Sequence, residues 1–108
     1  MKLKTSVYNI VDQINKLHLE DPKVYDYWDD LTKTLSADEK LTIQFLESLD
    51  DKNTVNTISA VFEDVAYNLQ SLAFINYIES LQTKFPDLLL EHMVDAARNT
   101  INMDDAEV

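Results

Sequence analysis

The groups able to do chemistry in this chain are mostly carboxylates. Glu47 and Asp50 stand three residues apart in "ESLD", and Glu63 and Asp64 follow side by side in "FEDV". Acids on facing helices hold magnesium in small all-α nucleotide pyrophosphohydrolases, which makes such an enzyme a minor alternative. Consecutive acids, however, point about 100° apart on a helix and make a poor joint ligand, so solvated helix faces are the simpler reading. Neither histidine, His18 or His92, has a glutamate three residues before it; those positions are Asn15 and Leu89. There is no cysteine, and no serine lies near a histidine in a recognised motif. Glycine is absent altogether, which removes phosphate-cradling loops, the dinucleotide fingerprint and the nucleophile elbow together. The chain is therefore expected to be no enzyme, with no catalytic residue, no metal ligand and no cofactor.

The densest polar and aromatic chemistry is "VYDYWDD", Val24 to Asp30: three rings, the only tryptophan among them, and three carboxylates in seven residues. On a helix, Val24, Tyr27, Trp28 and Leu31 share one stripe, so Tyr27 and Trp28 are expected in the core. Tyr25 leaves that stripe and joins Asp26, Asp29 and Asp30 on the outer flank. The pattern recurs later, where Tyr67 falls on the outer side with Glu63 and Asp64. Tyrosine offers a large contact area and a polar tip at low entropy cost. Tyr25, Asp26, Asp29, Asp30, Glu63, Asp64 and Tyr67 are thus the candidate partner-binding residues. The plainer alternative is a solvated face with snorkelling tyrosines.

These side chains need helices to position them. Apolar residues at spacings of three and four predict helices over Leu3 to Leu17 and Lys23 to Leu35, with Pro22 breaking between them. Ser36 with Glu39 reads as a capping box for a third helix carrying Leu41, Ile43, Phe45, Leu46 and Leu49. A fourth runs from Thr54 to Leu69. Ser71 caps a fifth with Leu72, Phe74, Ile75, Ile78 and Leu81 inward. Pro86 opens a sixth holding Leu89, Leu90, Met93, Val94, Ala97 and Ile101. "FLESLDDK" (45–52) aligns with "YIESLQTK" (77–84) at an offset of 32, and Ile58, Val61, Phe62 and Leu69 continue the match to Leu90, Met93, Val94 and Ile101. The expectation is an all-α domain of stacked helical hairpins, HEAT-like, with about six helices over 1–103 and an acidic tail over 104–108; a compact helical bundle is the alternative.

Charge narrows the partners. Twenty acids against nine bases give a net charge of −11 over 108 residues. Phosphate backbones and anionic membranes would repel such a molecule, so neither nucleic acid nor membrane is an expected partner. Its field favours basic proteins. The first residues, "MKLKTSVYNIVDQINKL", contain two lysines, but Asn9, Asp12 and Gln13 interrupt any apolar signal region. A soluble cytoplasmic monomer is expected.

In size and character the whole chain resembles bacterial immunity proteins, notably those of contact-dependent growth inhibition systems. The likeness is carried most by "VYDYWDD" and "FINYIESLQTKFPDLLLEHMVDAARNT". No short motif defines these proteins, so the patch above rests on this chain's own residues. The resemblance implies a 1:1 complex with a cognate basic toxin domain, a nuclease and more often an RNase than a DNase, neutralised by stoichiometric inhibition. A HEAT-like adaptor or a phosphate-mimicking inhibitor of a housekeeping protein is the alternative function.

Overall fold

In the computed structural model, which describes residues 2–18 and 20–101, the amphipathic stretches form helices and no strand occurs among those residues. The helices are α1 (Lys2–Asn15), α2 (Lys23–Ser36), α3 (Glu39–Ser48), α4 (Lys52–Ile58), α5 (Phe62–Leu69), α6 (Leu72–Lys84) and α7 (Glu91–Asn99), with 3₁₀ turns at Ser59–Val61 and Pro86–Leu88. The chain is all-α. The expected acidic tail at 104–108 lies outside the described residues.

Helix starts follow side-chain chemistry. The carboxylate of Asp38 accepts from the Leu41 amide at 3.0 Å and caps α3. Asp51 does the same for α4 through the Asn53 amide. The hydroxyl of Ser71 accepts from the Phe74 amide at the start of α6, as its position predicts. The expected box of Ser36 with Glu39 does not form. Ser36 is the last residue of α2, and Glu39 instead accepts from the Ser71 hydroxyl. Asp38 was the better cap because its extended backbone, φ −152° and ψ 112°, aims the side chain at the orphan amides.

The predicted fourth helix is broken. Ser59 Oγ donates to the Asn56 carbonyl at 2.6 Å, and the backbone tightens into a 3₁₀ turn before α5 begins at Phe62. Such back-bonding competes with the helical ladder and bends it. The last predicted helix starts late for a related reason: Pro86 opens the 3₁₀ turn, and Leu89 follows at φ 54°. A chain without glycine must put other residues into this region, and Gln70 at φ 48° closes α5 the same way. A branched side chain in the left-handed region costs ~1–2 kcal/mol. Because the Leu89 side chain is 67% exposed, Leu89→Gly is expected to stabilise the fold. The net gain should be ~0.5–1 kcal/mol after glycine's entropy cost, a rise of a few degrees in Tm. A fall in Tm would mean that the leucine makes a contact worth more than its strain.

Three hairpins stack in two layers. Helices α1, α3 and α6 lie side by side in one layer; α2, α5 and α7 do so in the other, with α4 packed on α1. The core between them holds Val7, Leu31, Leu35, Phe45, Leu46, Ile58, Phe62, Phe74, Ile78 and Leu90, and the Phe62 and Phe74 rings meet edge to face at 6.2 Å. The sequence repeat at the offset of 32 falls on successive hairpins, which hydrogen bonds join. Ser36 accepts from Asn68, Glu47 from Tyr77, the Leu49 carbonyl from Lys84, and the Thr100 carbonyl from Gln70, all across 30–35 residues. Its "ESL" segments nevertheless differ: α3 ends at Ser48, whereas α6 runs on to Lys84. Leu41, Leu72 and Leu89, expected inward, are exposed.

One further tie joins the repeats. Lys52 binds Asp87, and this hydrogen bond, more than the ammonium charge itself, holds the Asp87 carboxyl below its usual 3.8. A depressed carboxyl stabilises the fold above its unfolded value and loses that contribution as pH falls through the folded value. Asp87→Asn should therefore lower stability at neutral pH, where the contribution is present, and flatten its loss in the acid range below 3.8, where the two proteins converge. Urea midpoints for both proteins across that range check this, and identical acid slopes would contradict it.

Candidate functional site

Of the seven residues singled out by type and spacing, four come together. Tyr25 and Asp29 on α2, with Asp64 and Tyr67 on α5, line one open groove of about 360 Å³ between neighbouring helices of the second layer. Trp28, Thr32 and Asn68 complete its lining. Tyr25 is 67% exposed and Tyr67 64% exposed, so both rings are available to a partner. Asp26, Asp30 and Glu63 are also exposed but do not line the groove. They belong to its surroundings.

The geometry follows from helix pitch. Tyr25, Trp28, Asp29 and Thr32 recur at i, i+3, i+4 and i+7, which is one face of α2. Asp64, Tyr67 and Asn68 repeat the spacing on α5. Two faces of the same period, carried by adjacent helices, make a continuous trough.

Trp28 is the residue that the sequence reading misplaced. It was expected in the core with Tyr27, but both are only half-buried. The stripe is right and its depth is not. Leu31 and Leu35, on the same stripe, are fully buried, whereas Val24, Tyr27 and Trp28 sit at the N-terminal end of α2 where the cover thins. There the Trp28 ring packs edge to face with Tyr25, centroids 5.3 Å apart at 85°. It also walls a second hollow on its other side with Ile14, Leu17, His18 and Val24. The i, i+3 spacing of Tyr25 and Trp28 was the available signal for a shared aromatic face.

The polar groups of the groove are mostly turned to accept hydrogen bonds. Thr32 donates its proton to the Trp28 carbonyl at 2.9 Å, which leaves the hydroxyl lone pairs outward. Asn68 donates one amide N–H to Ser36 at 3.0 Å, leaving its carbonyl oxygen and its second N–H for other partners. Asp29 pairs with Lys33 one turn on, at 3.2 Å, with both partners well exposed. Asp64 has no cationic partner among the described residues.

In the other acidic hollows most charges are engaged, Glu91 of the α6/α7 hollow excepted. Between α6 and α7, Arg98 bridges Glu79 and Asp95. Between α1 and α4, Asp51 is spent on capping α4, and the Tyr8 phenol is raised above its usual 10.0 by burial and then by the charges of Asp51 and Asp50. Glu47, half of the "ESLD" pair, takes the Tyr77 hydroxyl at 2.8 Å. That hydrogen bond, followed by burial and the carboxylate's charge, raises the Tyr77 phenol above 10.0. Asp50 lies beyond the end of α3, so Glu47 and Asp50 do not share a helix. Among the described residues no group of three or more histidines and acids is placed to hold a metal ion.

No protein family, curated protein or solved structure matches this chain. The groove is therefore read from its own chemistry. No helix among the described residues is long and apolar enough to cross a membrane.

Proposed function

We propose that this chain is an immunity-type inhibitor that binds one basic toxin domain, a nuclease and more often an RNase, in a 1:1 complex through the α2/α5 face. The observation that carries the reading is the convergence of Tyr25 and Tyr67, 42 residues apart in sequence, as exposed rings over one groove edged by Asp29 and Asp64. Exposed tyrosines on a rigid helical face are good interface anchors. A net charge of −11 steers a basic partner toward them. An interface of ~1,600 Å² with a few dominant anchors supports nanomolar affinity, about 12 kcal/mol.

The surrounding acids have a separable role. Asp26, Asp30 and Glu63 lie outside the groove and act on encounter rather than on the docked state. Replacing all three by their amides is expected to slow association several-fold at low salt and to leave dissociation nearly unchanged. The difference should shrink as the Debye length falls to ~3 Å near 1 M salt. Surface plasmon resonance against the toxin domain across a salt series reads both rates. A loss carried by dissociation alone would place these acids inside the contact. The functional reading itself is tested by co-expressing the chain with the toxin domain. Growth is expected to be restored by a stoichiometric amount of the chain.

A further inference from the structure

We infer that the α2/α5 groove is a socket for an arginine side chain of the docked protein. The inference deepens the docking reading of this face and rests on it for biological meaning, though its test does not. Three rings, Tyr25, Trp28 and Tyr67, line the trough together with two carboxylates, Asp29 and Asp64. Aromatic faces attract cations through their quadrupoles, most strongly in tryptophan. The remaining groups add acceptors, because the Thr32 proton goes to the Trp28 carbonyl and one Asn68 amide N–H goes to Ser36. With two carboxylates beside them the groove is rich in acceptors, which suits a ligand whose charged end carries donors.

Both cationic side chains meet that description, and geometry separates them. A guanidinium is flat, carries five N–H donors in a fixed fork, stacks on rings and grips a carboxylate through two parallel bonds. A lysine ammonium is a compact, strongly hydrated point charge that gives up more water on entry. The groove has rings from two helices and one carboxylate from each. Asp64 offers an unengaged carboxylate among the described residues. Asp29 is held only by Lys33 in an exposed i, i+4 pair, which is worth little and is readily exchanged. The overall charge of −11 supplies the complementary field.

The chain's single tryptophan lines the groove and also the hollow of Ile14, Leu17, His18 and Val24, so its fluorescence reports on both. The variants Asp64→Asn and Tyr67→Ala, which touch the groove alone, assign the signal. The full chain is titrated with N-acetyl-arginine methylamide, with its lysine counterpart, and with the citrulline counterpart, which keeps the shape and drops the charge, all at constant chloride. A saturable change in Trp28 emission is expected with arginine in the millimolar range, at least about tenfold weaker with lysine and absent with citrulline. Asp64→Asn and Tyr67→Ala should each weaken the arginine response at least about tenfold. Glu91→Gln, which removes one negative charge at α7 outside this groove, should leave it unchanged. Equal responses to arginine and lysine, or an equal loss in Glu91→Gln and Asp64→Asn, would reduce the effect to general charge attraction and overturn the socket. The two readings fail separately. A chain that neutralises a toxin but shows no arginine response has another docking chemistry, whereas a saturable arginine response without any toxin partner removes the immunity role and keeps the socket.

Discussion

Alanine at both Tyr25 and Tyr67 is expected to weaken binding of the toxin domain by at least about a hundredfold while the protein stays folded. Each ring stands exposed over the same groove and serves as an anchor in the proposed complex, and truncating an interface hot spot typically costs ~2 kcal/mol or more. Because the two line one trough, their losses are coupled and need not add in full. Dissociation should carry most of the change. The stability cost should be small, since both rings stand largely in solvent. Removing Tyr25 forfeits only its edge contact with Trp28, worth ~0.5–1.5 kcal/mol. Isothermal titration of the double variant, beside its thermal melt, separates the two effects. Unchanged affinity would move the docking face elsewhere on the molecule.

Phe62→Ala is the opposite case. Its ring is fully buried against Phe74, and it begins α5 immediately after the 3₁₀ break. Truncating such a residue costs ~3–5 kcal/mol through lost contacts and the cavity left behind. Domains of this size hold only ~5–15 kcal/mol in all, so a large part of the stability should go. The urea midpoint should fall sharply. Function should fall with it, because α5 carries Asp64 and Tyr67 and its register depends on this residue. A loss below ~1 kcal/mol would show that the helical layers are held together by something other than the Phe62–Phe74 contact.

The contrast between these variants marks what was legible in the sequence. Apolar spacing of three and four gave the helices and most of their inward faces, and the offset of 32 suggested stacked hairpins without saying which helices meet. Tyr25 and Tyr67 were recognisable as outward because their neighbours at helical spacing are acids. Their convergence on one groove was not legible, since nothing local tells α2 to lie beside α5. The burial of Trp28 was misjudged for the same reason: a helical stripe states direction, while depth depends on which elements cover it. The break at Ser59 was hidden because apolar periodicity runs on from Ile58 to Phe62 and Val65. It took a single hydroxyl bonded to the Asn56 carbonyl to interrupt the ladder. Pro86 was read as a helix start, which it is, but of one 3₁₀ turn that Leu89 ends in a left-handed conformation. Without glycine as a marker, such turns leave little trace in the sequence.

The most direct test of the central claim is co-purification from the strain that encodes this chain, at low and then moderate salt. Wild-type protein would be run beside the Tyr25→Ala/Tyr67→Ala double variant. The account predicts recovery of one basic toxin domain in equal stoichiometry with the wild type, its loss with the double variant, and relief of its toxicity when the wild-type chain is co-expressed. A housekeeping complex recovered instead, or a toxin domain retained equally by both proteins, would contradict it.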